Sequence, residues 1–131
     1  TGPDYDCSGL VQAAFAAHGL WLPRDAYQQH AFCQPLQLEE LEPGDLVFFG
    51  SEERVTHVGL CTASASGASP AQYAHSSGRD RGRDGIGVDP LGPGSGGPVA
   101  QHYWACFRSC GRVVRGLRPG ERAPQRGLDP S

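Results

Sequence analysis

The residues of this sequence that could do chemistry are one cysteine near its start and two histidines further along. Cys7 begins a segment with helical spacing, and a helix N-terminus favours the reactive thiolate through its backbone amides and dipole. His57 lies in a segment with strand character and could take the proton of that thiol. His75, one predicted strand later, could hold the other ring nitrogen of His57. The three residues predict a Cys-His-His nucleophilic site, with an inert buried thiol and hydrogen-bonded core histidines as the alternatives.

The helix that carries Cys7 is predicted over residues 7–18. Its apolar side chains recur at three- and four-residue spacing, which indicates one buried helix face. Asp6 is a natural N-cap, and Gly19 is a natural C-cap in the left-handed conformation. A shorter second helix is predicted to be capped by Asp25 and to run through Phe32.

Four predicted strands provide the surface against which the first helix must pack. A Pro43-Gly44 turn precedes the apolar run 46–49, which predicts a central strand. The pleat of a strand over residues 55–61 places His57 and Gly59 on one face. Two further strands are predicted at residues 72–76 and 85–91, and a flexible Gly/Pro break follows at residues 92–98.

Length and composition restrict the architecture and the function classes. The 131 residues suit a single domain. No apolar run reaches the roughly 18 residues that a membrane span needs. The 11 basic residues, all Arg, against 14 acidic ones give a net charge of -3, which argues against a nucleic-acid partner. Five cysteines without dense spacing predict free thiols in a reducing compartment rather than a disulfide scaffold.

Four sequence blocks, which contain Cys7, His57 and His75, resemble the motifs of a known protein family. The blocks are Asp6-Cys7-Ser8-Gly9-Leu10-Val11, Pro43-Gly44-Asp45-Leu46-Val47-Phe48-Phe49, Thr56-His57-Val58-Gly59-Leu60 and Ala74-His75-Ser76-Ser77-Gly78. In this order they resemble the NlpC/P60 cell-wall cysteine peptidases over about residues 2–114. The resemblance implies an α+β, papain-like NlpC/P60 fold, in which the catalytic cysteine begins a helix packed on an antiparallel sheet. Blocks at residues 22–29 and 82–87 resemble the branch that cleaves γ-D-glutamyl bonds to a diamino acid.

The resemblance also implies the catalytic roles. Cys7 matches the nucleophile, His57 the general base and acid, and His75 the orienting third member of the triad. No metal or organic cofactor is implied. The implied reaction is hydrolysis of γ-D-glutamyl-diaminopimelate amide bonds in peptidoglycan stem peptides, for cell-wall turnover or recycling. A non-catalytic module that binds wall peptides and a papain-like acyltransferase are the alternatives.

Three more positions match residues that bind substrate in that branch. Asp6 and Ser8 match positions that hold the free amine of an N-terminal L-alanine, and Arg24 matches a position that contacts the D-glutamate carboxylate. These pairings make independent sense, because a carboxylate suits an ammonium and a guanidinium suits a carboxylate. Without the family, Asp6 and Ser8 would be interpreted as helix-capping residues and Arg24 as a surface charge.

The expected organisation is that of a fragment. Because Thr1 is not Met and the Asp6-Cys7 block follows at once, we interpret the chain as the later part of a longer protein. A catalytic domain, incomplete at its N-terminus, is predicted over residues 1–115, and a disordered tail over residues 116–131. The family branch implies an SH3-like domain upstream. The expected partner is a peptidoglycan stem peptide, with no nucleic acid and no membrane span, and the expected location is the cytoplasm, with the cell envelope as the alternative.

A second possible cluster lies near the end of the domain. His102, Cys106 and Cys110 follow one another at four-residue steps, which would align three zinc ligands if the segment were helical. The alternative is that these side chains form the edge of the core.

Overall fold

The structure is a computed structural model that describes residues 7–76 and 86–123. Its centre is a six-stranded antiparallel sheet with strand order β1-β6-β2-β3-β4-β5. The strands are β1 (Gln34–Leu36), β2 (Leu46–Gly50), β3 (Val55–Ala63), β4 (Ala71–Ser76), β5 (Ile86–Leu91) and β6 (Phe107–Arg112). The helices are α1 (Cys7–Ala16), α2 (Ala26–Phe32) and α3 (Pro98–Ala105), with a short 3-10 turn at Leu38–Glu40. The predicted α+β class with an antiparallel sheet is confirmed.

The sheet separates two apolar cores because successive side chains of a strand point to opposite faces. Phe48 lies in one core with Val11 of α1 and Ala26 of α2, and the neighbouring Phe49 lies in the other core with Tyr103 of α3. The first four residues of β2 are fully buried on both faces, as expected for a central strand. Helices α1 and α2 therefore cover one face of the sheet, and α3 covers the other.

The end of α1 and the start of α2 follow local chemistry. Helix α1 ends at Ala16, two residues before the predicted end. The chain then turns through Gly19 at φ +81°, and the N–H of Leu20 donates to the carbonyl of Phe15 at 3.0 Å. The predicted N-cap, Asp6, lies outside the described residues. Asp25 is the N-cap of α2, as predicted, and its own N–H donates to Oε1 of Gln28 at 3.1 Å.

The turn that leads into the central strand is the one the sequence predicts. Gly44 has φ +96°, and the N–H of Asp45 donates to the carbonyl of Glu42 at 3.0 Å. The side chain of Asp45 accepts two bonds from Arg112 of β6, each at 2.9 Å. This ion pair, between the buried Asp45 and the partly exposed Arg112, joins the turn to the neighbouring strand.

Strands β1 and β6, the 3-10 turn and helix α3 were not predicted from the sequence. Helix α3 begins with Pro98 directly after the Gly-rich segment, and a proline in the first turn of a helix loses no hydrogen bond. Because α3 ends at Ala105, the arrangement of three zinc ligands on one helix is wrong. Cys110 lies buried on β6, with Sγ 3.6 Å from the carbonyl of Leu36 in β1. Among residues 7–76 and 86–123, no group of three or more His, Cys, Asp or Glu side chains could hold a metal ion.

The segment after β6 contacts the loop between the first two helices. The N–H of Leu117 donates to the carbonyl of Trp21 at 2.6 Å, and Arg115 pairs with Glu121 at 2.7 Å. This attaches residues 115–121, which include the start of the predicted tail, to the domain. Residues 124–131 of that tail lie outside the described residues, where disorder stays a prediction. No helix in the described part of the chain is long and apolar enough to cross a membrane.

Candidate active site

Cys7 is the first residue of α1, and its side chain is partly exposed. Its Sγ lies 3.9 Å from the carbonyl oxygen of Thr56, the residue before His57. The N–H groups and the dipole at the start of a helix favour negative charge there, and hence a thiolate. The structure thus brings the predicted nucleophile to the beginning of the strand that carries the predicted base.

A chain of hydrogen bonds begins at His57 and runs through the interior. Nε2 of His57 lies 2.8 Å from Nδ1 of His75, and Nε2 of His75 lies 2.6 Å from Oδ2 of Asp89. His57 is 8% exposed, His75 is fully buried and Asp89 is 5% exposed. The two predicted histidines therefore lie in contact on neighbouring strands, and a carboxylate lies behind them.

Aromatic rings fix the orientation of His57. The ring of Tyr103, on α3, stacks on His57 with centroids 4.2 Å apart and an interplanar angle of 20°. Phe49 contacts the same imidazole with its ring centroid 5.5 Å away. Stacking of this kind holds a ring in one plane. Because Nε2 of His57 lies against His75, Nδ1 is the ring nitrogen on the other side of this contact.

Gly59 makes room for the aromatic ring of Tyr73. A Cβ at this position would lie 2.6 Å from Cδ2 of Tyr73, whose ring packs against His75 with centroids 4.5 Å apart. His57, Gly59 and Tyr73 share the sheet face covered by α3, as the predicted pleat of β3 requires for the first two.

The surroundings of His57 favour its neutral form. Burial, followed by the proximity of His75 and His102, lowers its pKa from the ordinary value of 6.5 to about 3. A neutral imidazole carries the lone pair that proton abstraction requires. At neutral pH the resting side chain is therefore uncharged and keeps a lone pair on one ring nitrogen.

The other cysteines have different environments. Burial first, and the nearby Asp45 second, raise the pKa of Cys33 to about 12. The same two causes, with further acidic neighbours, raise the pKa of Cys110 to about 11. A protonated, buried thiol is a poor nucleophile, whereas Cys7 is partly exposed at a helix N-terminus.

Two of the predicted substrate-binding residues contact each other. Nη1 of the exposed Arg24 donates to Oγ of the buried Ser8 at 2.9 Å, which places a guanidinium one residue along the helix from Cys7. The fully buried Gln29 holds the two backbone segments together. Its Nε2 donates to the carbonyl of Ser8 at 3.1 Å and to that of Pro23, the residue before Arg24, at 2.9 Å. Asp6, the third predicted member, lies outside the described residues.

Sequence reasoning missed Asp89 and Tyr103. A signal for Asp89 existed, because it is the acidic residue within the predicted strand 85–91, where a half-buried strand otherwise favours apolar side chains. Its contact with His75 depends on the pairing of β4 with β5, in which Asp89 lies opposite Tyr73, two residues before His75. The position of Tyr103 had no local signal, since α3 itself was not predicted.

Comparison with known proteins assigns the chain to a family. The model described as the NlpC/P60 family matches residues 1–86 of the 131. The chain therefore belongs to the NlpC/P60 family. It is 48% identical over 59 residues to the bifunctional muramidase/DL-endopeptidase CwlT of Bacillus subtilis, which covers 43% of this chain and 18% of that protein. It is 40% identical over 63 residues to the γ-D-glutamyl-L-lysine dipeptidyl-peptidase of the same species, covering 46% and 21%. The matched part thus spans about a fifth of each of these relatives.

Solved structures agree over most of the chain. An NLP/P60-family protein of Staphylococcus aureus, described as similar to lipoprotein, superposes with a TM-score of 0.63 at 27% identity, covering 88% of this chain and 38% of that one. RipD of Mycobacterium tuberculosis, a non-catalytic NlpC/p60 domain protein adapted to peptidoglycan binding, superposes with a TM-score of 0.59 at 25% identity, covering 84% and 67%. The papain-like fold expected from the resemblance is thus confirmed as the NlpC/P60 fold.

Proposed function

We propose that the protein is a cysteine endopeptidase that hydrolyses the amide bond between γ-D-glutamate and a diamino acid in peptidoglycan stem peptides. The observation that carries this proposal is the hydrogen-bonded pair His57–His75 at the strand whose first residues lie against Cys7. Nucleophilic catalysis needs a thiol, a base near it and a group that orients the base. In this proposal Cys7 is the thiol, His57 is the base and His75 is the orienting group.

The proposed reaction proceeds through an acyl-enzyme. Nδ1 of His57 takes the proton of Cys7, and Sγ attacks the γ-glutamyl carbonyl carbon to form a C–S bond. Backbone N–H groups at the start of α1 stabilise the resulting oxyanion. The imidazolium returns its proton to the departing amine as the C–N bond breaks, and water then hydrolyses the thioester.

The substrate proposal rests on charge. Arg24 is exposed and donates a hydrogen bond to Ser8, the residue after Cys7. The planar guanidinium of Arg24 suits the free carboxylate of D-glutamate. Asp6 would pair with the free amine of the preceding L-alanine. The name of the γ-D-glutamyl-L-lysine dipeptidyl-peptidase supports a glutamyl substrate for this part of the family.

Catalysis is tested with the full-length protein on the peptide L-Ala-γ-D-Glu-diaminopimelate. We expect Cys7→Ala to abolish release of diaminopimelate while the circular dichroism spectrum stays unchanged, since a helix start tolerates alanine. The matched control is Cys106→Ala, a partly exposed thiol at the end of α3, which should keep the wild-type rate. A wild-type protein without turnover, or a Cys7→Ala variant with turnover, would contradict the proposal.

Specificity is tested by capping the substrate. N-acetylation removes the positive charge of the substrate's terminal amine. In the proposal this leaves the Asp6 carboxylate without a partner beneath the bound peptide, at a cost of about 2 to 5 kcal/mol. We therefore expect kcat/KM to fall about 30-fold or more on the acetylated peptide. Because a free amine occurs on peptides already cut from the glycan chain, this preference would also support a role in recycling and the proposed cytoplasmic location. Equal rates would favour intact peptidoglycan as the substrate and leave Asp6 as a helix cap.

A second candidate function is peptide binding without catalysis. One observation favours it: RipD, a non-catalytic NlpC/p60 domain protein, shares this fold. Calorimetric titration of the same peptide into the full-length protein separates the two functions. Binding without any product after long incubation would support the second candidate, and product formation would exclude it.

A further inference from the structure

The buried carboxylate of Asp89 lies at the inner end of the histidine chain. Its Oδ2 is 2.6 Å from Nε2 of His75, a distance typical of a hydrogen bond to an ionised group. His75 is fully buried between the ring of Tyr73 and the ring of Tyr103, so its imidazole has little freedom to turn. The contact defines which nitrogen of His75 carries a proton.

Donor and acceptor roles follow along the chain. An ionised carboxylate only accepts, so Nε2 of His75 must donate to Asp89. In a neutral His75 the other nitrogen, Nδ1, is then an acceptor. Nε2 of His57, 2.8 Å away, must therefore carry the proton and donate it to His75. A neutral His57 with its proton on Nε2 has its lone pair on Nδ1.

Resting on the proposed function, we propose that Asp89 is a positioning residue that fixes the tautomers of both histidines and so makes Nδ1 of His57 the base. When Nδ1 takes the thiol proton, the S–H bond breaks and an N–H bond forms. The two hydrogen bonds behind it, His57 to His75 and His75 to Asp89, stay as they were. No side chain has to turn, and the Asp89 charge is in place to stabilise the new imidazolium.

The opposite assignment makes a different prediction. If His75 were an imidazolium, its Nδ1 would donate to Nε2 of His57, and a neutral His57 would carry its proton on Nδ1. That form of His57 could not accept a proton from Cys7 at Nδ1. The two assignments are therefore distinguished by the location of one proton.

Long-range ¹H–¹⁵N correlation spectra of the ¹⁵N-labelled, full-length protein measure that location directly. The imidazole signals are assigned with His57→Gln and His75→Gln variants. At neutral pH we expect both histidines to be neutral with the proton on Nε2. A His57 signal protonated on Nδ1, or a His75 signal of the imidazolium form, would overturn the proposal. This measurement needs no turnover, so it remains decisive even if the proposed function fails.

The variant Asp89→Asn tests the consequence for catalysis. The amide has nearly the same shape but no charge, and it can donate as well as accept. We expect the His57 tautomer population to shift towards Nδ1–H and kcat to fall about 10- to 100-fold, with KM within about twofold of wild type. A loss that came only from a weakened fold would leave the tautomers of the folded protein unchanged.

The matched control is Asp45→Asn, which alters the other buried aspartate of the described residues. Asp45 pairs with Arg112 of β6, and its carbonyl accepts from the N–H of Cys61, four residues along β3 from His57. The variant should therefore lose stability but keep the tautomers. Unchanged tautomers and an unchanged kcat in Asp89→Asn would overturn the role of Asp89. If wild-type His57 carries its proton on Nε2, and Asp89→Asn changes both the tautomer population and kcat, the role of Asp89 is supported.

Discussion

At the scale of single residues, the proposed mechanism gives different roles to two histidines that are in contact. Both nitrogens of His75 are engaged, one by His57 and one by Asp89, and the proposal assigns Nδ1 of His57 to the thiol. A base is irreplaceable by a group that cannot take a proton, but an orienting group can be replaced by another acceptor. The two positions should therefore respond differently to substitution.

We predict that His57→Ala lowers kcat much more than His75→Asn. The asparagine oxygen can still accept from Nε2 of His57, which keeps the lone pair on Nδ1, while alanine leaves no base at all. Steady-state kinetics on L-Ala-γ-D-Glu-diaminopimelate give the comparison, and thermal unfolding of each variant checks that it folds. Equal losses in two folded variants would contradict the assigned roles.

The sequence predicted that His75 lies against His57, which the structure shows, but it did not predict Asp89, whose contact depends on strand register. Cys7, His57 and His75 belong to residue types with few roles, and each lies in a segment with a clear period. Asp89 reaches His75 only through the alignment of β4 with β5, which is set by the whole sheet. A single acidic residue in a predicted strand therefore does not indicate which residue of the neighbouring strand it contacts.

At the scale of elements, the site is built where two layers approach one strand. Helix α1 packs on one face of the sheet, while the His57 imidazole lies on the other face beneath α3. Both approach the beginning of β3, where Cys7 lies against Thr56. The sequence predicted α1, α2 and strands β2 to β5, because each carries its own period and boundary residues. It did not predict α3, because a Gly/Pro segment followed by a short apolar piece has no clear period.

We predict that Gly59→Ala disturbs the site from within β3. The new methyl group would lie 2.6 Å from the Tyr73 ring, which must then move against His75. Overpacking of this kind costs about 1 to 3 kcal/mol of unfolding free energy, and kcat should fall as His75 shifts. Urea unfolding and kinetics measure the two effects.

The control for that substitution is Gly92→Ala. An added Cβ there would have its nearest neighbours at 3.7 Å, an ordinary contact, so unfolding free energy should change by no more than about 0.5 kcal/mol. If the two glycine variants were equally stable, the close packing of Tyr73 on β3 would not be a constraint.

At the scale of the whole molecule, the buried His57 links stability to pH. Its pKa is about 3 in the folded protein and 6.5 in its ordinary state, so between these values the unfolded chain binds more protons than the folded one. The contribution of His57 to the free energy of unfolding is therefore fully present above pH 6.5 and declines as the pH falls towards 3. Burial also lowers the pKa of His30, which acts in the same direction.

We predict that lowering the pH from 7.5 to 5.0 reduces the unfolding free energy of the wild type by about 2 kcal/mol through His57, at about 1.4 kcal/mol per pH unit below 6.5. Urea unfolding at the two pH values measures this drop. His57→Gln should show a smaller drop, while His18→Gln, altered at an exposed turn after α1, should behave like the wild type. A wild-type drop retained in His57→Gln would assign the effect to other groups.

The two outer strands of the sheet each contain a proline, Pro35 in β1 and Pro90 in β5. A proline has no N–H to offer, so neither rim presents an unbroken row of amide donors to a strand from another molecule. This matters most at β5, where Ile86 and Val88 are about half exposed and would otherwise invite such pairing. Growth of the sheet from one molecule into the next, the first step towards fibrils, is therefore hindered at both of its ends.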